Sequence, residues 1–509
     1  MLKLPIGIQD FKKLREEGFL YVDKTHLIHQ LLESGQYYFL SRPRRFGKSL
    51  LMSTLRELFL GNQSLFEGLW ISEQYDWTQT HPVIHLSFND LDYKTRGLAV
   101  VLEERIHSIG EDFGIEVGGQ SVKERFRDLL HQLGEKKAVL LIDEYDKPII
   151  DFIDQPDIAH QNKEVLRSFY SVIKDADPYL QFVFITGISK FSKVSIFSDL
   201  NNLLDITIDP NYGAIGGYTQ EELETYFEDR IDKLATQLSI SQADLLTQIR
   251  DWYNGYSWTG PDRMYNPFSI LNFFSKGTFQ NFWFSTGKPT FLIKVLQKGW
   301  YFQLDELDVG NTQLDFFDIE NPDYRSLLFQ TGYLTIKSQV AYNIYELGYP
   351  NKEVKDSLLQ YLIGAYTHRG RGDAAPMVLK LTKAINKQDI PLFISILNSL
   401  YASIPEKIFR QKSEAAYHSV LYTSLSLMGF YIDSEVAVGE GYVDAVVKTE
   451  TVIYVMEFKV GHPAEVAIEQ IRAKAYAEPY RHDVRAIRLI GISFGKETKG
   501  VQEWKDKAL

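Results

Sequence analysis

Residues Ser41-Arg42-Pro43-Arg44-Arg45-Phe46-Gly47-Lys48-Ser49 follow the apolar run Tyr37–Leu40 and precede a helical pattern over Leu50–Leu60. A strand, a tight loop ending in Gly-Lys-Ser and a helix together build a phosphate cradle, the P-loop. Backbone N–H groups and a helix N-terminus face the anion, the lysine reaches the β/γ oxygens, and the serine hydroxyl ligates Mg²⁺. Gly-Lys-Ser by itself is a weak signal; its strand-loop-helix setting strengthens it. One position departs from G-x-x-x-x-G-K-[ST], because Arg42 stands in the place of the first glycine. On this reading Arg44, Arg45, Phe46, Gly47, Lys48, Ser49 and Leu50 line the nucleotide phosphates.

A second motif supports the first. Ala138–Ile142 is apolar at every position and ends in Asp143-Glu144. Such a run suits a strand buried on both faces of a parallel sheet, and ligands of α/β sheets bind at the carboxyl ends of the strands. Asp143 is then expected to hold Mg²⁺ beside Ser49, with Glu144 orienting or polarising the attacking water. Two solvated acids closing an ordinary strand are the plain alternative, which the upstream P-loop disfavours.

The chain has 509 residues, enough for about three domains on the length prior. Hydrophobic content of 44% with 24% charged residues describes a globular chain, not a disordered one. Zero cysteines exclude disulfides, thiolate catalysis and Cys-ligated zinc, and fit a reducing cytoplasm. MLKLPIGIQDFKKLREEG has no apolar core, and no uncharged run approaches the ~18 residues of a span, so neither a signal peptide nor a membrane helix is expected. Net charge is −12, which argues against indiscriminate nucleic-acid binding. Acids and bases nearly balance from Tyr401 onward, where Arg481, Arg485, Arg488, Lys496 and Lys499 form a basic cluster in sequence.

Strand-length runs at Tyr37–Leu40, Val83–Phe88, Ala138–Asp143, Gln181–Thr186 and Leu203–Ile208 alternate with helical patterns including Leu50–Leu60, Val122–Leu133 and Asn162–Asp175. That alternation predicts a parallel sheet wrapped by helices over residues 1–215. Thr186, ending the fourth run, stands where a γ-phosphate sensor would sit; a structural threonine is the alternative. Thr219-Gln220-Glu221-Glu222 is a capping-box pattern that opens a helix through Leu223 and Phe227. Residues 216–350 are aromatic-rich, and packing in a helical lid is a better account than an aromatic box for a ligand. Within them, Leu327–Ile336 and Ala341–Tyr345 read as a hairpin. Residues 351–400 read as a helical connector, with Arg369-Gly370-Arg371-Gly372-Asp373 as an exposed break.

From Ser413 the pattern becomes a helix Glu414–Met428, extended runs Tyr431–Val438, Tyr442–Val447 and Val452–Val460, a helix Ala464–Ala477 and a strand Ala486–Ile492. Asp444 falls in the second run. Glu457 and Lys459, two apart in the third, project from one face. Gln470 lies on the following helix, with Lys474 one turn later. Two carboxylates holding Mg²⁺ or Mn²⁺, with a lysine to position water and offset phosphate charge, form a metal-dependent phosphodiesterase site. An ion pair on an exposed strand face explains Glu457 and Lys459 equally well. Charge inside otherwise apolar strands favours the site.

KLPIGIQDFKKLREEG, YVDKT, FLSRPRRFGKSL, LFEGLWI, LLIDEYDKPI, FITGISKFSKVSIFSDLNNL, WYNGYSW and YNPFSIL occur in this order along the chain. They resemble the bacterial AAA-ATPase-like family, whose P-loop domain is joined to a C-terminal PD-(D/E)XK nuclease-superfamily domain. The resemblance implies an α/β fold: a P-loop NTPase parallel sheet with a helical lid region, plus a restriction-endonuclease-like α/β domain over 401–509. The family shares the R-P-R-R-F-G-K-S form, so Arg42 is a family trait. The resemblance implies ATP and Mg²⁺ at Lys48, Ser49, Asp143 and Glu144. It also implies a nuclease pattern at Asp444, Glu457, Lys459 and Gln470, with Glu414 as a further acid. Family members often carry Gly-Arg just before the strand aspartate, whereas this chain reads Gly441-Tyr442-Val443-Asp444, without that cation.

The expected function is an ATP-binding and hydrolysing protein whose ATPase domain regulates a metal-dependent nuclease-like domain acting on DNA or RNA. It is expected to be cytoplasmic and free of membrane, with oligomerisation left open. A nucleotide-dependent switch or scaffold with a non-cleaving binding domain, and an ATP-driven remodeller, are the alternatives.

Overall fold

The computed structural model describes residues 1–189, 197, 200, 202–286, 290–299, 301, 304–314, 323–367, 371–404, 413–429, 436–437, 444–496 and 499–509. The chain divides into two compact units, Met1–Lys288 with Asp305–Val354, and Pro289–Leu304 with Lys355–Leu509.

In the first unit β1 (Tyr37–Ser41), β2 (Val83–Ser87), β3 (Ala138–Asp143), β4 (Leu180–Gly187) and β5 (Leu204–Asp205) form an all-parallel sheet in the order β2-β3-β4-β1-β5. β1, β3 and most of β4 are buried throughout, as their unbroken apolar runs predict. The expected fifth run, Leu203–Ile208, shrinks to Leu204–Asp205, because the Asp205 carboxylate accepts the Thr207 N–H at 2.9 Å and turns the chain. Strand order decides what meets what. β4 lies between β3 and β1, and Ser41 pairs with Gly187 while Ser87 pairs with Asp143. The P-loop, Asp143 and Thr186 therefore emerge side by side at one edge of the sheet.

The capping box at Thr219 is present. Its hydroxyl accepts from Glu222 N and the Glu222 carboxylate accepts from Thr219 N, opening the helix Gln220–Leu238. Glu222 also takes Lys24 Nζ at 2.5 Å, in a nearly buried pair that joins the YVDKT segment to this helix. Leu223, Phe227, Ile249, Tyr253, Tyr265, Ile270 and Phe273 are buried in one cluster, so the aromatics of the lid are packing residues. The expected hairpin is displaced. Tyr324–Gln330 is helical, capped by the Asp323 carboxylate, and the strands are β7 (Thr335–Ala341) and β8 (Ile344–Gly348), with β6 (Leu307–Gly310) on the far side of β8. A short apolar run does not by itself separate helix from strand.

Glu353, in the first turn of the helix Lys352–Thr367, has no exposed surface; Ser269 Oγ donates to it at 2.7 Å and Trp283 N at 2.8 Å. Burial raises its pKa from 4.5 to about 7, against the pull of these donors. Within that window the folded chain keeps a proton that the unfolded chain releases, so stability falls as pH rises through it. Glu353→Gln is expected to remove this fall, a difference from wild type of about 3 kcal/mol between acid and pH 8. Urea titrations of both proteins across that range check it; parallel profiles would contradict it.

In the second unit β9 (Val436–Ala437), β10 (Ala445–Lys448), β11 (Val452–Val460), β12 (Ala486–Phe494) and β13 (Val501–Ala508) form a mixed sheet in the order β13-β12-β11-β10-β9. Only β11 and β12 are parallel, linked through the helix Ala464–Ala473. That helix ends at Ala473, short of the expected Ala477, and the φ of +56° at Ala475 turns the chain off the helical path. β13 is an addition to the expected order. Most of the run Tyr431–Val438, together with Tyr442 and Val443, lies outside the described residues, as do Arg369 and Gly370 of the expected break; Arg371 begins the helix Arg371–Asn386.

Tyr454 OH donates to Ile385 O at 3.1 Å, and Val501 N donates to Asn398 Oδ1 at 2.6 Å. These bonds tie the helices Arg371–Asn386 and Ile390–Ala402 to the sheet. A fragment starting near Asn351 is therefore expected to unfold in one cooperative thermal transition, and one starting at Tyr401 to melt at lower temperature. Calorimetry of both fragments checks this; equal melting temperatures would contradict it.

Candidate functional site

Gly47, at φ +80°, takes the left-handed conformation that turns the loop into the helix Lys48–Phe59. Lys48 is buried, and its Nζ donates to the carbonyls of Arg42 at 2.8 Å and Pro43 at 3.1 Å. Burial lowers its pKa, while Glu144, Asp143 and Asp146 hold it up. Arg42 is fully buried: it donates to Ser41 O, Thr207 O and Tyr212 O, and its guanidinium lies 4.0 Å from the Trp258 ring. Burial lowers its pKa to about 9, against the pull of the Asp205 charge. Arg42 thus fastens the root of the loop. Phe46 is buried edge-on against Tyr256 and Trp258, so what it offers a ligand is its backbone. Trp283 Nε1 donates to Arg44 O at 3.1 Å, and a Cβ at Gly332 would come within 2.6 Å of Pro43. The aromatic lid residues grip the outer side of the loop.

On the inner side Ser49 Oγ donates to Asp143 Oδ2 at 2.6 Å, and Thr186 Oγ1 donates to Asp143 Oδ1 at 2.6 Å. Glu144 follows at φ +55°, a left-handed position uncommon for a non-glycine residue, and its N–H donates to Thr186 Oγ1 at 3.4 Å. Two hard oxygens, Ser49 Oγ and Asp143 Oδ2, converge beside the buried lysine, which is the donor set Mg²⁺ prefers next to phosphate. A cleft of about 360 Å³ opens here. Arg44, Arg45, Gly47, Lys48, Ser49, Leu50 and Glu144 line one side, and Pro5, Gly7, Ile8, Gln9, Tyr218, Phe268 and Leu271 another. Arg45 stacks 4.6 Å from the Phe268 ring.

In the C-terminal sheet, Asp444 directly precedes β10, and its Oδ2 accepts Phe458 N at 2.7 Å. Glu457 is 2% exposed; Lys459 Nζ donates to its Oε1 at 2.6 Å, and its Oε2 is buried with no partner among the described residues. Desolvation raises the pKa of Asp444, opposed by the Phe458 N–H, His418 and Lys459. Desolvation also raises that of Glu457; Lys459 opposes it and Asp444 adds to it. An orphaned carboxylate oxygen beside a second carboxylate suits a hard divalent ion. No group of three or more His, Asp or Glu close enough to share an ion occurs among the described residues.

The N-terminal residues 5–197 match the family described as "Predicted AAA-ATPase", and residues 412–504 match the PD-(D/E)XK nuclease superfamily. The chain is also 39% identical, over 98% of both chains, to a protein of Azotobacter chroococcum mcd 1 named "Uncharacterized protein in vnfD 5'region". The chain is an AAA-ATPase-like protein with a PD-(D/E)XK domain.

In this AAA-ATPase-like protein the structure brings together Lys48, Ser49, Asp143, Glu144 and Thr186 in the first unit and, separately, Asp444, Glu457 and Lys459 in the second. Gln470 is half-buried on the helix Ala464–Ala473, and among the described residues no hydrogen bond joins its side chain to these three. Glu414 lies on the helix Ser413–Met428. The basic cluster is dispersed by pairing, Arg481 with Glu478, Arg485 with Asp483 and Arg488 with Asp506. The cleft wall from Pro5 to Gln9 and the Tyr218–Leu271 side were not legible as site residues. Neither was His418, near enough to Asp444 to act on its charge. Among the described residues no helix is long and apolar enough to cross a membrane.

Proposed function

We propose that the chain binds and hydrolyses ATP in its N-terminal unit and thereby controls a metal-dependent phosphodiester cleavage by its PD-(D/E)XK domain. The observation that carries the reading is the bonded set Ser49–Asp143–Thr186 beside Lys48. Lys48 would contact the β- and γ-phosphate oxygens, Glu144 would orient and deprotonate the attacking water, and Thr186 would meet the γ-phosphate. Mg²⁺ held by Ser49 and Asp143 would offset phosphate charge. In the C-terminal domain Asp444 and Glu457 would hold Mg²⁺ or Mn²⁺, whose Lewis acidity makes water a better nucleophile. Lys459 would orient that water and offset charge on the phosphate.

The substrate is a nucleic acid, DNA or RNA, and the setting a cytoplasmic one. We keep within this reading an ATPase core of residues 1–215, a lid of 216–350, a connector of 351–400 and a nuclease-like domain of 401–509. One observation favours a non-cleaving switch instead: the Lys459–Glu457 pair leaves the domain with two carboxylates, one of them already engaged by a cation. Crystals grown with Mn²⁺ and a non-hydrolysable ATP analogue separate the two. Anomalous peaks beside both Ser49/Asp143 and Asp444/Glu457 fit the proposal, and a peak at the first alone fits the switch.

A further inference from the structure

One buried acid is left over by this account. Asp146, three residues past Asp143, has no exposed surface. Its Oδ2 accepts three hydrogen bonds, from Ile188 N at 3.0 Å, Ser189 N at 2.6 Å and Ser189 Oγ at 2.7 Å. Its Oδ1 has no partner among the described residues. All three donors belong to the exit of β4, two and three residues after Thr186.

The same exit is held from other directions. Tyr145 N donates to Thr186 O at 2.9 Å, and Tyr145 OH donates to Ser189 O at 3.1 Å. From the P-loop side, Ser41 Oγ donates to Ile188 O at 2.6 Å and Arg42 N to Gly187 O at 3.2 Å. Packing is close enough that a Cβ on Gly187 would lie 2.5 Å from the Tyr145 ring and 3.1 Å from Asp146 Oδ1. Thr186, which donates a hydrogen bond to Asp143 and accepts one from Glu144 N, thus sits on a short segment pinned between the P-loop strand and the turn after β3.

A buried carboxylate with one unpaired oxygen and no bonded cation among the described residues is costly to a fold. A neutral side chain would serve a purely structural joint at less expense. The charge also reaches Lys48, on which Asp146 acts together with Glu144 and Asp143.

We propose that Asp146 is a positioning residue for nucleotide hydrolysis: it fixes the exit of β4 so that Thr186 is held at once against Asp143, Glu144 and the γ-phosphate. The proposal rests on the nucleotide-hydrolysis reading above. It predicts a loss in turnover and at most a small one in recognition of the third phosphate, with nucleotide affinity as such nearly kept.

The test uses the full chain, with steady-state ATP hydrolysis and titrations with ATPγS and ADP for wild type, Asp146→Asn and Asp146→Ala. Misplacing a reacting group by an ångström costs about 100-fold, so kcat should fall about 10- to 100-fold in Asp146→Ala and less in Asp146→Asn, which keeps one acceptor. KM should stay within about 3-fold, as expected when an interaction made chiefly in the transition state is lost, and the preference for ATPγS over ADP should fall by no more than that factor. A folded variant with wild-type kcat and wild-type discrimination, or one that changes KM alone, would overturn the assignment. If Asp146→Ala does not fold, Asp146→Asn decides by the same criteria. A wild-type protein that neither binds nor hydrolyses ATP would overturn the nucleotide reading itself; hydrolysis shared equally by wild type and Asp146→Asn sinks only the role of Asp146.

Discussion

Lys48→Ala is expected to weaken ATP binding by about 30- to 1,000-fold, corresponding to about 2–4 kcal/mol for a desolvated charged contact. The lysine is buried, lines the cleft and stands next to the Ser49–Asp143 pair, so its loss would remove a desolvated cation from the proposed β- and γ-phosphate site. Arg42 does not substitute for it, because it is fully buried at the root of the loop and its terminal nitrogens bond Ser41 O, Thr207 O and Tyr212 O. Glu144→Gln separates binding from chemistry. The amide keeps the shape of the carboxylate but accepts no proton, so affinity should hold while turnover drops by about 100-fold or more. Calorimetric titration and a phosphate-release assay check the pair. Unchanged affinity in Lys48→Ala would remove the nucleotide assignment, and unchanged turnover in Glu144→Gln would remove Glu144 from its role.

Asp444→Ala is expected to abolish divalent-ion binding and cleavage together in the C-terminal domain. Glu457 would be left as the lone carboxylate, with one oxygen already on Lys459. Lys459→Ala should keep the ion and lose about 100- to 1,000-fold in rate, since it acts on charge that develops in the transition state. Burial holds both carboxylates above their ordinary pKa, so protons compete with the ion further up the pH scale than for exposed acids. Cleavage should decline as pH falls toward that raised range, and added Mn²⁺ should shift the decline to lower pH. ATP hydrolysis should be nearly intact in both variants. Metal titration and cleavage-rate profiles measure each effect; an Asp444→Ala protein that still cleaves would rule out the carboxylate pair.

Where the sequence was read well, burial was uniform. Ala138–Asp143 and Val452–Val460 match β3 and β11 at both ends because nearly every residue in them faces a core. The expected order ends at Ala486–Ile492 and leaves out β13, because Gln502, Glu503, Lys505, Asp506 and Lys507 carry no apolar strand pattern. Its place comes from the ladder with β12 and from Lys505 and Lys507 bonding Glu465, which are tertiary facts. Ser49, Asp143 and Glu144 were legible because phosphate chemistry fixes residue types at short spacings. Pro5–Gln9 and His418 carry no such pattern and become visible only once the chain has folded next to the cleft or to Asp444. Arg42 was legible as a departure, but its role as a buried fastener depends on Trp258, more than two hundred residues away in sequence.

The most direct measurement of the central claim is cleavage of a panel of single- and double-stranded DNA and RNA by the purified chain. It is made with Mn²⁺, in the presence and absence of ATP, alongside Lys48→Ala and Asp444→Ala. The account predicts ion-dependent cleavage of at least one substrate, a rate that changes with ATP in wild type, no response to ATP in Lys48→Ala, and no cleavage in Asp444→Ala. No cleavage of any substrate, or cleavage by wild type that ignores ATP while ATP is being hydrolysed, would contradict it.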